Sequence, residues 1–149
     1  MLEVLLALFL FSITMLGSLS VQITGKRAGH DALQRTVAVS LAWDMIARIR
    51  ANPGQMELYR FSLPAEDGSA LPEPATDCDS APCTESELAH FDLWQWQDLL
   101  RGGAERRHGR PVGGLLVPHA CVRDSTDTVE VVVSWATLSE GSSLGGSPN

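Results

Sequence analysis

Chemistry in this chain rests on few residues. They are one carboxylate at the edge of an apolar run, three cysteines, and four scattered histidines. Glu3 stands at the mouth of the run Val4 to Ile23, and no other charge follows before Lys26. A carboxylate beside a membrane-length apolar segment is costly in lipid and requires a partner. Glu3 is therefore the first candidate functional residue. Cys78 and Cys83 flank a short loop containing Pro82, where a local bridge is easy to close. Such a bridge contributes about 2–3 kcal/mol, and it leaves Cys121 over, buried against the sheet. The competing arrangement pairs Cys121 with Cys78 or Cys83, tying the helix region to the C-terminal strands; both stay open here. A C-x4-C pair with one distant cysteine is not a zinc ligand set, and no metal or cofactor is expected.

Catalysis finds little support. His30, His90, His108 and His119 lie far apart, and none sits in a nucleophile, zinc-protease, phosphate-loop or dinucleotide motif. Asp92 and Asp98, near Trp94 and Trp96, read as solvated helix positions, and Trp96 and Trp135 as core. The chain has 149 residues and a net charge of −7, with Lys26 its single lysine. That argues against nucleic acid as a partner, which would require a clustered basic face. The one basic stretch, Arg101 to Arg110, is interrupted by Glu105, Gly102-Gly103 and Gly109, and reads as a solvated loop.

The elements that position these residues follow from periodicity. A span needs about 20 apolar residues, and Val4 to Ile23 meets that length. The helical pattern then continues: Leu33, Val37, Leu41, Met45 and Ile49 recur every four residues, flanked by Ala38, Ala42 and Ile46. Asp31 with Arg35 and Asp44 with Arg48 form i,i+4 pairs on the polar side. Pro53 ends the helix and disfavours helical geometry at Asn52. A continuous Leu2–Ala51 helix would be about 75 Å long, more than a globule of this mass can cover, so half of it must protrude. Residues 54–77 read as an irregular connection with a short strand at Tyr59 to Leu63. A second helix spans Glu85 to Leu100, with Thr84 and Glu87 as a capping box and Leu88, Phe91, Leu93, Trp96, Leu99 and Leu100 on its buried side. Arg101-Gly102-Gly103 ends it. The strand Thr128 to Trp135 places Val129, Val131, Val133 and Trp135 on one face, pairs with Ala120 to Arg123 across a turn at 124–127, and has a further strand at Leu115 to Val117. Ser139 to Asn149 reads as a flexible Gly/Ser tail.

Leu2-Glu3-Val4-Leu5-Leu6-Ala7-Leu8 resembles the start of mature type IV pilins and the pseudopilins of type II secretion, of the type F-T-L-I-E-V-L-I-A-L. A secretory signal peptide fits less well, since no basic region precedes the apolar run and no cleavage site follows it; an ordinary single-span anchor is the other alternative. Leu41-Ala42-Trp43-Asp44-Met45 with Arg48-Ile49-Arg50-Ala51-Asn52-Pro53 is similar to the block that closes the long helix in PilV-type minor pilins. Cys83-Thr84 followed by Ala89, Asp92, Leu93 and Trp96 is similar to a second PilV-type block, in which a cysteine pair precedes an A-x-x-D-L-x-x-W helix.

The resemblance implies an α+β pilin fold, a long protruding helix packed on a small antiparallel sheet. Residues 1–25 form the membrane and assembly half-helix, 26–52 the amphipathic half, 53–138 a periplasmic globular region and 139–149 the tail. It implies a structural subunit, not an enzyme: a minor pilin of the tip complex that primes pilus assembly, with a minor pseudopilin as the alternative and a membrane-anchored periplasmic enzyme or binding module as the rival outside the class. The implied partners are other minor pilins, the major pilin, a tip adhesin, the inner membrane before assembly and prepilin peptidase, with no nucleic acid. Implied roles include twitching motility and adhesion, with methylation of the mature terminus. Glu3 would pair with the N-terminal amine of a neighbouring subunit. The bridge would form in the periplasm, where disulfides persist.

In the family the Glu is the fifth mature residue, which places the mature terminus two residues before Met1 and implies an upstream leader. Lys26 and Arg27 directly after the span would hold the C-terminal side in the cytoplasm if nothing basic preceded it. A basic leader reverses that bias. We therefore expect a reporter fused after Asn149 to be active in the periplasm, and activity confined to the cytoplasm would contradict the orientation.

Overall fold

The computed structural model describes residues 2–63, 70–125 and 128–137. Helix α1 runs from Leu2 to Ala51 without interruption, 50 residues or about 75 Å. It stops at Asn52, whose φ/ψ of −130°/60° is non-helical, directly before Pro53. Pro53 to Tyr59 then forms a 3₁₀ segment and β1 (Phe61–Leu63) follows. The short strand thus starts two residues later than the sequence indicates, because Tyr59 belongs to the helical turn and is fully buried there. Helix α2 (Glu85–Leu100) carries its full capping box: Thr84 accepts from the Glu87 amide, and Glu87 reaches back to the Thr84 amide. It ends at Gly102, with φ of +87°. The C-terminal strands are β4 (His119–Ser125) and β5 (Thr128–Ser134).

The sheet has the order β1-β4-β5, antiparallel throughout, with Phe61 opposite Val122 and Val122 opposite Val131. This register puts Leu63, Ala120, Val122, Val131 and Val133 on the face turned to the helices. It leaves Ser62, Cys121 and Val132 on the other. Cys121 is therefore not buried in the core, as the sequence suggested, but lies half-buried on the outer face of the sheet. The core sits between that inner face, α2 and the last third of α1, with Met45, Tyr59, Trp96 and Leu100 fully enclosed. Trp96 donates its indole N–H to the Leu41 carbonyl at 2.8 Å and meets Phe61 edge-on at 5.9 Å. This satisfies the ring's single polar atom inside an apolar seam.

Four further expectations are corrected. Leu33 is 61% exposed, and its neighbour Gln34 is buried in its stead. The Gln34 amide donates to the Gly114 carbonyl at 3.0 Å and accepts from the Leu116 N–H at 2.9 Å, which fastens the chain after α2 onto α1. Leu115 to Val117 is consequently not a strand: these amides are used by Leu100 and Gln34, and Val117 has φ of +47°. The Arg101–Arg110 region is not an irregular loop. It contains a two-stranded hairpin, β2 (Glu105–Arg107) and β3 (Arg110–Val112), turned at His108 and Gly109, both with positive φ. That is the backbone requirement of a two-residue type I′ turn. Finally, Asp92 is not solvated but 7% exposed. The expected turn residues 126–127 and the tail at 139–149 lie outside the described residues.

Asp92 is the centre of a polar cluster. It accepts from Arg48 Nη1 at 2.8 Å and from the Tyr59 hydroxyl at 2.6 Å. Arg48 Nε also bonds Asp44 at 2.8 Å. Asn52 donates to the Glu85 carbonyl at 2.8 Å and to the Tyr59 oxygen at 3.4 Å. Burial raises the Tyr59 pKa, the hydrogen bond to Asp92 raises it further, and together they push it up to about 12. Since the folded pKa exceeds the ordinary value near 10, the fold favours the neutral phenol. That contribution is complete below about pH 10 and is lost as pH rises towards 12. Tyr59 is the only tyrosine, so tyrosinate absorbance in an alkaline titration reports it alone. The midpoint should lie near 12 in the native chain. Asp92→Asn should lower it but leave it above the free value, because burial persists.

The exposed apolar half-helix as candidate functional site

The candidate surface is the first part of α1. Residues 2–30 are all exposed. Every large apolar side chain from Leu2 to Ile23 is more than half exposed, from 52% at Ile13 to 78% at Leu2. The helix contains an 18-residue window of mean hydropathy 2.3 with none of it buried, long and apolar enough to cross a membrane. Soluble monomers rarely expose a contiguous apolar patch of this extent.

The polar residues within the run are handled locally. Ser12 Oγ donates to the Leu8 carbonyl at 2.8 Å, Thr14 Oγ1 to Phe11 at 2.8 Å and Thr24 Oγ1 to Ser20 at 3.1 Å. These three hydroxyls spend their donors on their own helix, which lowers the polarity that the segment presents to lipid or another helix. Glu3 is the one charge before Lys26. It lies in the first turn, exposed. Its carboxylate there favours the positive end of the helix dipole, and among the described residues it forms no ion pair.

Beyond residue 30 the helix becomes half-buried. Gln34, Ala38, Met45 and Ile49 are enclosed, and Trp43 on the opposite side is 61% exposed. Arg48 and Asn52 here, with Asp92 and Trp96 on α2, join the two helices through the contacts described above. The two sequence blocks singled out earlier, one closing α1 and one within α2, are therefore the two sides of a single packed seam. Periodicity could not show this. Asp92 was the residue that sequence reasoning misplaced, and the available signal was its position between the buried Ala89, Leu93 and Trp96 on one helical face.

Cys78 and Cys83 are joined in a disulfide with Cα atoms 5.5 Å apart, and Cys121 is a free thiol. The bridge closes the loop that leads into α2. Asp77 caps that loop by accepting from the Asp79 amide at 3.0 Å and the Ser80 hydroxyl. Among the described residues no group of three or more histidines, cysteines and acids could hold a metal ion.

A family model described as Type IV pilin Tt1218, of the Tt1218-like family, matches residues 20–94. The chain belongs to this type IV pilin family. The match begins inside the apolar half of α1, runs through the seam and the disulfide loop, and ends in α2. No curated protein and no solved structure matches the chain. The long helix with its small antiparallel sheet is the α+β pilin fold, and the chain is a pilin-like structural subunit. Its apolar N-terminal helix is compatible with membrane anchoring and with assembly into a pilus.

If the local bridge is the one that forms in the cell, Cys78→Ser and Cys83→Ser should each cost about 2 kcal/mol. The double change should cost little more, and Cys121→Ser should be insensitive to reductant. Denaturant unfolding with and without reductant checks this, and a peptide map linking Cys121 to either of the others would contradict it.

Proposed function

We propose that this pilin is a minor pilin of the tip complex that primes type IV pilus assembly. The observation that carries the reading is the wholly exposed apolar half-helix with a single carboxylate at its mouth. Before assembly such a helix is stable only in a bilayer. After extraction the same surface must be buried again, and helices of neighbouring subunits are the available apolar surface. At about 25 cal/mol per Å², leaving it in water is prohibitive, so extraction and assembly are coupled. Glu3 then pairs with the N-terminal amine of an adjacent subunit. In a low-dielectric bundle either charge alone costs several kcal/mol, so the pair selects register and partner more than it adds stability.

The assignment to the minor, PilV-type class is supported by the two sequence blocks on the α1–α2 seam. A minor pseudopilin of a secretion system shares the anchor, and gene neighbourhood separates the two. The role is structural, and the inner membrane followed by the pilus is the proposed location.

Replacing Glu3 tests the mechanism. Glu3→Leu should leave membrane insertion intact, because it only lengthens the span, and should lower the amount of chain in sheared pili by about tenfold or more, the effect of roughly 1.4 kcal/mol or above at each insertion. Normal incorporation of Glu3→Leu would exclude the pairing role.

A further inference from the structure

Helix α2 runs antiparallel to α1, back towards the apolar half-helix. The contacts along the seam show this in order. Asn52 meets the Glu85 carbonyl, Arg48 meets Asp92, and Leu41 takes the Trp96 indole. The Leu115 amide then bonds the Leu100 carbonyl, and Gln34 holds Gly114 and Leu116. The C-terminal end of α2, the β2–β3 hairpin and the chain 113–117 therefore gather where α1 leaves the globular part. Gly102 and Gly114 fix them there, approaching so closely that a Cβ on Gly102 would lie 2.4 Å from the Gly114 amide nitrogen.

This end differs from the rest of the molecule in charge. Residues 26–35 and 98–110 hold seven of the 11 lysines and arginines but only three of the 18 acidic residues. Their net charge is +4, which leaves −11 for the remainder of a chain whose total is −7. The hairpin carries the outermost part of it. All six of its strand residues are exposed, and Arg107 stands directly opposite Arg110. That like-charge pair weakens a hairpin by itself. Glu105 shares the same face at the hairpin's base, opposite Val112, and offsets one of the two arginines. Arg106 points the other way, 3.9 Å from Asp98.

The same end also exposes apolar side chains. Outside residues 2–23, seven large apolar side chains are exposed among the described residues, and Leu33, Val112, Leu116 and Val117 are four of them. Val117 has φ of +47°, a conformation unfavourable for a β-branched residue. Its strain and its exposure gain nothing inside the subunit. Cations beside exposed apolar groups, next to a membrane-length helix, are the pattern of a surface that lies on a bilayer.

The distances along α1 agree. Val4 to Ile23 matches a hydrocarbon core of about 30 Å, and headgroups extend roughly 5–8 Å further on each side. Lys26 and Arg27 then fall among the headgroups, about 4–6 Å past Ile23, and Gln34 lies about 16 Å past it. The gap from the headgroups to this end is about 10 Å, close to one Debye length at physiological ionic strength. A tilt of about 20°, ordinary for a spanning helix, brings one side of the globular part closer still.

We propose that this end docks on a leaflet containing anionic phospholipids, with Arg107 and Arg110 on lipid phosphates and Leu116 and Val117 in the interfacial layer. The inference rests on the reading of α1 as a membrane anchor before assembly, and it deepens that reading. The contact holds a waiting subunit in one orientation on the membrane, with its acidic part turned away, and extraction breaks it.

The full chain reconstituted in vesicles tests this. One set of vesicles is phosphatidylcholine alone, and the other contains one third phosphatidylglycerol. Both carry a trace of lipid with a nitroxide on its headgroup, and chains are dilute enough that most vesicles hold one. A fluorophore is placed on Val117→Cys, or on Glu57→Cys at the far end, in a Cys121→Ser background that retains the Cys78–Cys83 bridge. The Val117→Cys probe should be quenched severalfold more in the anionic vesicles, and the Glu57→Cys probe in neither. Salt at 1 M, where the Debye length is about 3 Å, should release it. Arg107→Glu with Arg110→Glu should lower the ratio of docked to free chain about tenfold or more. Arg107→Lys with Arg110→Lys keeps the charge and should keep the quenching. Equal quenching in the two kinds of vesicle, or indifference to the charge reversal, would overturn the proposal. So would quenching that appears only when chains are crowded, because the occupant is then the acidic part of a neighbouring subunit. Flotation of the same samples separates the two readings. A chain that floats with the vesicles while its Val117→Cys probe stays unquenched overturns the docking alone. A chain that does not float overturns the anchored pilin reading and the docking with it.

Discussion

The contact on which the rest of this subunit depends is the pairing of Arg48 with Asp92. Arg48 stands one turn before the end of a helix whose first 30 residues gain nothing from the globular part. Asp92 stands in the middle of α2, the other long element among the described residues. Their 2.8 Å bond, with Tyr59 and Asn52 completing the cluster, fixes how α2 and the 3₁₀ segment sit on α1. The side chains of Arg48 and Asp92 are only 20% and 9% exposed, so Asp92 without Arg48 would be a buried charge with no counter-ion, whereas Arg48 would keep Asp44. The pair contributes less as raw stability than as a constraint on geometry. It admits one register of α2 along α1, and that register delivers Trp96 to the Leu41 carbonyl and Gln34 to the loop after the hairpin. Side-chain to backbone bonds of this kind act as fasteners between elements that apolar packing alone would leave free to slide.

A second constraint runs through the whole chain: one helix must satisfy two solvents. Its first half has to be apolar on every side, because lipid or other helices surround it. Its second half needs one face for the sheet and one for water. The change of pattern falls near residue 30, where exposure on all sides gives way to enclosure of every third or fourth residue. The same covalent helix therefore conveys position from the membrane or filament interior to the folded domain, and its continuity without a break matters more than its local stability. A Cβ at Gly17, Gly25 or Gly29 would enter open space, and each glycine weakens that stretch by about 1 kcal/mol relative to alanine.

The folded part is small, and the sheet has only three strands. Polar fasteners and the disulfide loop supplement a core that cannot grow. Arg60 with Asp124 ties the 3₁₀ segment to β4 at the sheet margin, and Leu71 donates to Gln97 so that the 71–76 segment lies along α2. These same devices shape the surface: the segment held by Gln97 forms one wall of an apolar cleft beside α2, and the chain held by Gln34 supports the hairpin.

Much was legible in the sequence because it was local. The apolar run, the stop at Asn52-Pro53, the Thr84–Glu87 capping box and the alternation of Val129, Val131 and Val133 each express a rule that acts within a few residues. They placed α1, α2 and the β4–β5 pair, and with Glu3 they carried the pilin resemblance. What the sequence could not show depends on who meets whom across distance. Asp92 looks solvated until Arg48 and Tyr59, 44 and 33 residues away, arrive to satisfy it. Gln34 displaces Leu33 from the interior for the same reason: two backbone groups near residue 115 need a partner more than the core needs another leucine. The hairpin exists because glycines at 102 and 114 let two chain segments touch. Local periodicity reports whether a residue is apolar, whereas burial of a polar residue is decided by partners that only the tertiary structure brings within hydrogen-bonding distance.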